Sequence, residues 1–164
     1  MVCRGLLICV VAWWLGVIAA EAQQAQSPPL TAEAVLREID SQGPRSLLAR
    51  RSEKEALFAR IEAGDPTWLE IARRLRPVSD ASLSLALNYS VARALPRTPG
   101  RVLALIGQGF TLDDVCTSPF IEPEAGVAER YAQRAEAALR TVTTPHLTRV
   151  RDECLQRVRL RRSQ

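Results

Sequence analysis

Three observations in this chain predict an all-α fold. Apolar residues recur at three- and four-residue spacing from Leu30 to Leu160, the period of a buried helix face. No segment alternates apolar and polar residues as a half-buried strand would. The pairs Asp65-Pro66, Thr98-Pro99 and Thr144-Pro145 each put a capping side chain just before a proline, whose missing N–H costs nothing at a helix start. Together these predict a single compact domain over residues 30–160, of about seven or eight short helices in antiparallel hairpins. One passage, 110–123, reads as irregular.

The elements follow in order. Thr31 is a good N-cap, and Leu30 with Val35 has the spacing of a hydrophobic staple. Val35, Leu36 and Ile39 form the apolar face of the helix that follows, and Gly43-Pro44 ends it. A short helix from Arg45 to Arg50 buries Leu47 and Leu48. Ser52 and Glu55 match a capping box, and Leu57, Phe58 and Ile61 are the face of the helix it starts. Gly64 stops that helix. Asp65-Pro66 begins the next, with Trp68, Leu69, Ile71, Ala72 and Leu75 inward and Pro77 at its end.

Asp80 caps the most apolar helix, Ala81 to Leu95. Leu83, Leu85, Leu87, Tyr89, Val91, Ala92 and Leu95 ring more than one side of it, the pattern of a central helix. Thr98-Pro99 starts another, with Val102, Leu103, Leu105 and Ile106, and Gly107 and Gly109 end it. A single helical turn fits Leu112 to Val115. A long amphipathic helix is expected from Glu124 to Val142, its stripe being Val127, Tyr131, Ala135, Ala138, Leu139 and Val142. The last helix runs from Pro145 to about Leu160, with Leu147, Val150, Cys154, Leu155 and Val158 on one face. Residues 161–164 are a basic tail.

Ala59-Arg60 and Pro66 recur as Ala92-Arg93 and Pro99, a period of about 33 residues, comparable to helix-pair repeats. The likeness to HEAT-like pairs is faint. Two copies fall short of the three that a solenoid needs, and two hairpins sharing one turn chemistry is the plainer reading.

The front of the chain reads as a secretory signal peptide over residues 1–22. Arg4 supplies the positive start, and Gly5 to Ala19 is an apolar run of signal-peptide length, short of the roughly twenty residues of a membrane span. Ala20-Glu21-Ala22 sets small residues for cleavage before Gln23. The alternative is an uncleaved anchor, to which Trp13-Trp14 would contribute. Residues 23–29, ending in Ser27-Pro28-Pro29, have little to bury and read as a disordered lead-in. Loss of Arg4 and Glu21 leaves the net charge of +4 unchanged. Lys54 is the only lysine. The arginine, alanine and leucine bias fits a GC-rich bacterial coding sequence, so the expected compartment is the periplasm.

Cys3 and Cys9 fall before the cleavage point, which leaves Cys116 and Cys154. An exported chain with two cysteines most simply joins them, because its compartment is oxidising. The closed loop of roughly 39 residues is worth about 4 kcal/mol on the chain-entropy model.

Catalytic chemistry has little to work with. His146 is the only histidine. It sits in the first turn of a helix, with no oriented partner for general-base work. No nucleophile elbow, phosphate loop, Cys-x-x-Cys pair or zinc-protease motif is present. No cofactor or metal is expected, and the catalytic set is empty. The basic excess is small and aromatic residues are few, which argues against nucleic acid. Asn88-Tyr89-Ser90 matches a glycosylation pattern but lies in an apolar helix.

Two surface features stand out. The candidate binding loop carries Asp113, Asp114, Phe120, Ile121 and Glu122, with Glu124 just beyond. Its carboxylates suit helix caps and first turns. In pairs they would suit acid–base hydrolysis or a cation, though the spacing matches no known calcium loop. Phe120 and Ile121 are either an apolar tip between prolines or core beneath the loop. The candidate basic patch is Arg149, Arg157, Arg161 and Arg162, with Arg151 and Arg159 beside them. These arginines suit a solvated helix end or contact with an acidic surface. The expected function is a periplasmic, non-enzymatic module that binds an unidentified protein partner or serves as a scaffold. One variant is an immunity-type inhibitor of a toxin enzyme. The opposing class is a carboxylate-dependent cell-wall hydrolase.

Overall fold

The computed structural model describes residues 30–48 and 54–162. The expected leader, the lead-in and Ser52 of the expected capping box lie outside the described residues. Among the described residues the chain is helical and has no strand. The helices are α1 (Ala32–Gln42), α2 (Arg45–Leu48), α3 (Lys54–Glu62), α4 (Pro66–Leu75), α5 (Ala81–Ala94), α6 (Pro99–Leu103), α7 (Leu112–Val115), α8 (Val127–Arg140) and α9 (Thr148–Arg162). Two 3-10 turns, Arg76–Val78 and Pro145–Leu147, adjoin α4 and α9.

Local capping chemistry sets many of the boundaries. Thr31 Oγ1 accepts the Ala34 N–H at 3.2 Å, and both residues of the expected staple, Leu30 and Val35, join the core. Asp65 Oδ1 accepts the Thr67 N–H at 2.8 Å ahead of Pro66. Asp80 Oδ1 accepts the Leu83 N–H at 2.8 Å. Gly43 and Gly64, with φ of +82° and +79°, end α1 and α3 in conformations a β-carbon would resist.

Other boundaries depart from expectation. Thr98 and Thr144 make no side-chain cap. Thr98 instead turns its side chain onto Gly64, where a β-carbon would meet Thr98 Oγ1 at 2.6 Å. Its carbonyl still accepts the N–H groups of Arg101 and Val102. Helix α6 stops at Leu103, because the chain then folds into a tight turn in which the Gly107 N–H reaches the Phe110 carbonyl at 2.9 Å. Helix α8 starts at Val127 rather than Glu124, because Gly126 takes φ +79° and the Val127 N–H closes a turn onto the Glu124 carbonyl. Leu85, expected in the ring around α5, is 46% exposed.

Helix α5 packs against α3, α4, α6 and α7, while α8 pairs with α9. Helix α7 also meets α9, and α6 meets α8, joining the two groups. Buried side chains from each of the nine helices among the described residues fall in one hydrophobic cluster. Leu87, Val91 and Leu95 at its centre are fully buried. Burying a side chain of this kind stabilises a fold by about 1.5–3 kcal/mol, so α5 anchors what surrounds it. The turns before α4 and α6, which share their residue pattern, touch at Gly64 and Thr98.

Candidate functional site

The irregular passage starts at a well-capped turn. Thr111 Oγ1 accepts the Asp114 N–H at 3.2 Å, and Asp114 Oδ2 accepts the Thr111 N–H at 2.8 Å. This reciprocal pair is a capping box with Asp114 as its acid. Asp114 Oδ1 also accepts from Asn88 Nδ2 on α5 at 2.6 Å, and Arg76 Nη2 stands 3.7 Å from Oδ2. The carboxylate, 18% exposed, braces α5, α7 and the α4–α5 connection together. Asn88 is thereby occupied inside the fold. Arg76 continues the brace by donating to Ser84 Oγ at 3.1 Å and lying 5.7 Å from the centre of the Phe110 ring.

Immediately after α7, Cys116 is bonded to Cys154 of α9. The Cα atoms are 5.2 Å apart, and both residues are buried. Beyond this root the chain crosses the end of α5. Arg93 donates to the Pro119 carbonyl at 3.0 Å and to Glu62 Oε1 at 2.7 Å, and its guanidinium lies 5.4 Å from the Phe120 ring centre. The Phe120 ring meets Tyr131 edge-on, with centroids 5.6 Å apart at 85°. Tyr131 donates its hydroxyl to the Ala92 carbonyl at 2.7 Å. Burial holds the Tyr131 phenol well above its ordinary pKa, against the opposing pull of Arg93 and Arg134.

The expected loop residues therefore separate. Phe120 is half-buried against Tyr131 and Arg93. Ile121 is 72% exposed, the most exposed of the large apolar side chains described. Glu122 is exposed with φ +45°, a left-handed conformation that costs a non-glycine residue about 1–2 kcal/mol. Glu124 is exposed as well. Asp113 points away from Asp114 and pairs with Arg157 of α9. The acidic loop and the basic patch thus neutralise one another at this point. Arg149 pairs with Glu153 at 2.5 Å. Arg161 and Arg162 close α9, and their side chains lie outside the described residues. His146 is exposed.

Next to the loop is a cleft of about 380 Å³, lined by Glu62, Arg93, Pro96, Arg97, Phe120, Tyr131 and Arg134. Its walls come from the ends of α3 and α5, the loop and the middle of α8. Arg97 donates to the carbonyls of Glu62 at 3.0 Å and Arg93 at 3.4 Å. Arg134 is exposed and has no hydrogen-bond or ion-pair partner among the described residues. None of the expected acidic residues lines this cleft.

Comparison with known protein families, curated proteins and solved structures finds no match for this chain.

Asp113 and Asp114 diverge, and each is held by a partner of its own. No His/Cys/Asp/Glu cluster suited to a metal ion occurs among the described residues. Sequence reasoning placed the loop but missed the arginine cleft. The i, i+4 spacing of Arg93 and Arg97 at the end of an apolar helix was the available sign. Nothing local could have brought Glu62 or Arg134 to them.

Proposed function

We propose that this chain is an exported, non-enzymatic helical module that recognises a protein partner through the tip of its disulfide-rooted loop. The observation that carries the reading is Ile121, an apolar side chain left in water on a segment fixed at its base. The Cys116–Cys154 bond and the Asp114 brace hold the root, and Arg93 holds the Pro119 carbonyl. A pre-ordered segment loses less entropy on binding than a free one. A few side chains buried at its centre carry most of the energy of a protein interface.

The disulfide suits an oxidising compartment outside the cytoplasm, and the periplasm is the compartment we favour. No described helix is long and apolar enough to cross a membrane. We take the helices as one compact domain whose pairs share turn chemistry, with an immunity-type inhibitor as one specialised form of the same function. The opposing hydrolase reading would need two carboxylates facing a common cleft, and no observation here favours it.

The test is affinity capture from periplasmic extract with wild-type bait and with Ile121→Asp. Removing an apolar anchor should cut capture of a specific partner by about tenfold or more, with the melting temperature unchanged. Equal capture by the two baits would remove the loop tip from the recognition surface. Phe120→Asp makes the contrast, because it disturbs the Tyr131 and Arg93 contacts and should lower stability.

A further inference from the structure

We infer that the cleft between α3, α5, the loop and α8 is a binding site for a carboxylate carried on an apolar body. Three arginines face one glutamate there, so the cleft has an excess of positive charge. The arginines are not equally occupied. Arg93 is charge-paired with Glu62 and also engages the Pro119 carbonyl and the Phe120 ring. Arg97 bonds only to carbonyl oxygens, and Arg134 bonds to nothing described. These two guanidinium groups retain donors for a ligand, and a guanidinium offers a planar fork matched to an oxyanion.

The choice of carboxylate over phosphate comes from the rest of the lining. Glu62 already seats a carboxylate against Arg93 at 2.7 Å, which shows that this array accepts one. The same Glu62 charge would oppose a dianion more strongly than a monoanion. Pro96 and the Phe120 ring supply apolar wall beside the charged groups, which a ligand with a hydrocarbon or aromatic body would cover. The volume of about 380 Å³ lies within the usual range of small-ligand sites, about 300–1,000 Å³. Such a carboxylate can be a free small molecule or the C-terminus of a polypeptide, and the chemistry is the same for both. The proposal does not depend on Ile121, so either reading can fail without the other.

The test uses the mature, oxidised protein and phenylacetate as probe, followed by NMR of the arginine Nε–H and aromatic signals. Saturable shifts at Arg97, Arg134 and Phe120 are expected. Arg134→Ala and Arg97→Ala should each weaken binding by about tenfold, the worth of one charge-assisted hydrogen bond. Arg37→Ala, which removes the same charge from the exposed face of α1, should leave binding unchanged. Competition by a peptide ending in a free Phe carboxylate, and not by its amide, would identify a polypeptide C-terminus as the ligand. Phenylacetate binding without peptide competition would identify a small molecule. Three results would overturn the site: no saturable shift, an equal loss in Arg37→Ala, or inorganic phosphate binding at the same residues as tightly as phenylacetate.

Discussion

Arg93 shows how much of this surface depends on single side chains. One guanidinium binds a carboxylate on α3, a carbonyl in the loop and the face of Phe120, so α3 and the loop share one charge carried on α5. Tyr131 works beside it with its hydroxyl committed to the Ala92 carbonyl. Because burial raises its folded pKa, the neutral phenol is the form the fold holds. Its contribution is therefore complete below the unfolded phenol pKa, about 10, and is lost as pH rises beyond that. Tyr131→Phe should cost about 1 kcal/mol at neutral pH, the net worth of one hydrogen bond. It should also flatten the fall in stability at alkaline pH. Urea melts at neutral and at strongly alkaline pH measure both effects, and the same alkaline slope in the two proteins would contradict the assignment. Glu70 is the acidic counterpart. Hydrogen bonds from Arg73, and then from Arg74, hold its carboxyl down to about 2 against the effect of burial, although its exposure makes this a screened surface contribution.

At the scale of elements, the close approach of the two like turns has a measurable cost of disruption. A β-carbon at Gly64 would have to adopt φ +79° and would also meet Thr98 Oγ1 at 2.6 Å. Gly64→Ala should destabilise by about 1–3 kcal/mol. Adding Thr98→Ala removes the clash but not the backbone penalty, so the double variant should recover part of the loss. Chemical denaturation of the four proteins of this cycle gives the coupling; strict additivity would mean that the turns do not touch. Much at this scale was legible from local chemistry: Thr31, Asp65 and Asp80 cap where their sequence context says they should. The threonines at 98 and 144 read the same way but do not cap with their side chains. In the first case the reason is Gly64, more than thirty residues earlier, which no local pattern contains. The box at Thr111 was open to reading, since Asp114 three residues on can reciprocate as glutamate usually does. The two aspartates read as suited to a helix cap, but Thr111 as their reciprocal partner did not.

For the whole molecule, the covalent tie from α7 to α9 was the clearest expectation of the sequence, because compartment and cysteine number alone imply it. The arginine cleft was the least legible feature, because its walls meet only when α3, α5, α8 and the loop have all been placed. The double variant Cys116→Ala/Cys154→Ala should lose about 2–4 kcal/mol and melt on the order of 10 °C lower. Calorimetry in oxidising buffer decides this, and an unchanged transition would mean that the bond carries no stability. The root of the loop also has the polar brace at Asp114, so α7 should stay docked while the melting point falls. Residues 121–125 project from this doubly fastened base and are all exposed. Because closure entropy grows only slowly with loop length, a foreign peptide spliced in at that position should be tolerated, which makes the loop a display site for grafted epitopes.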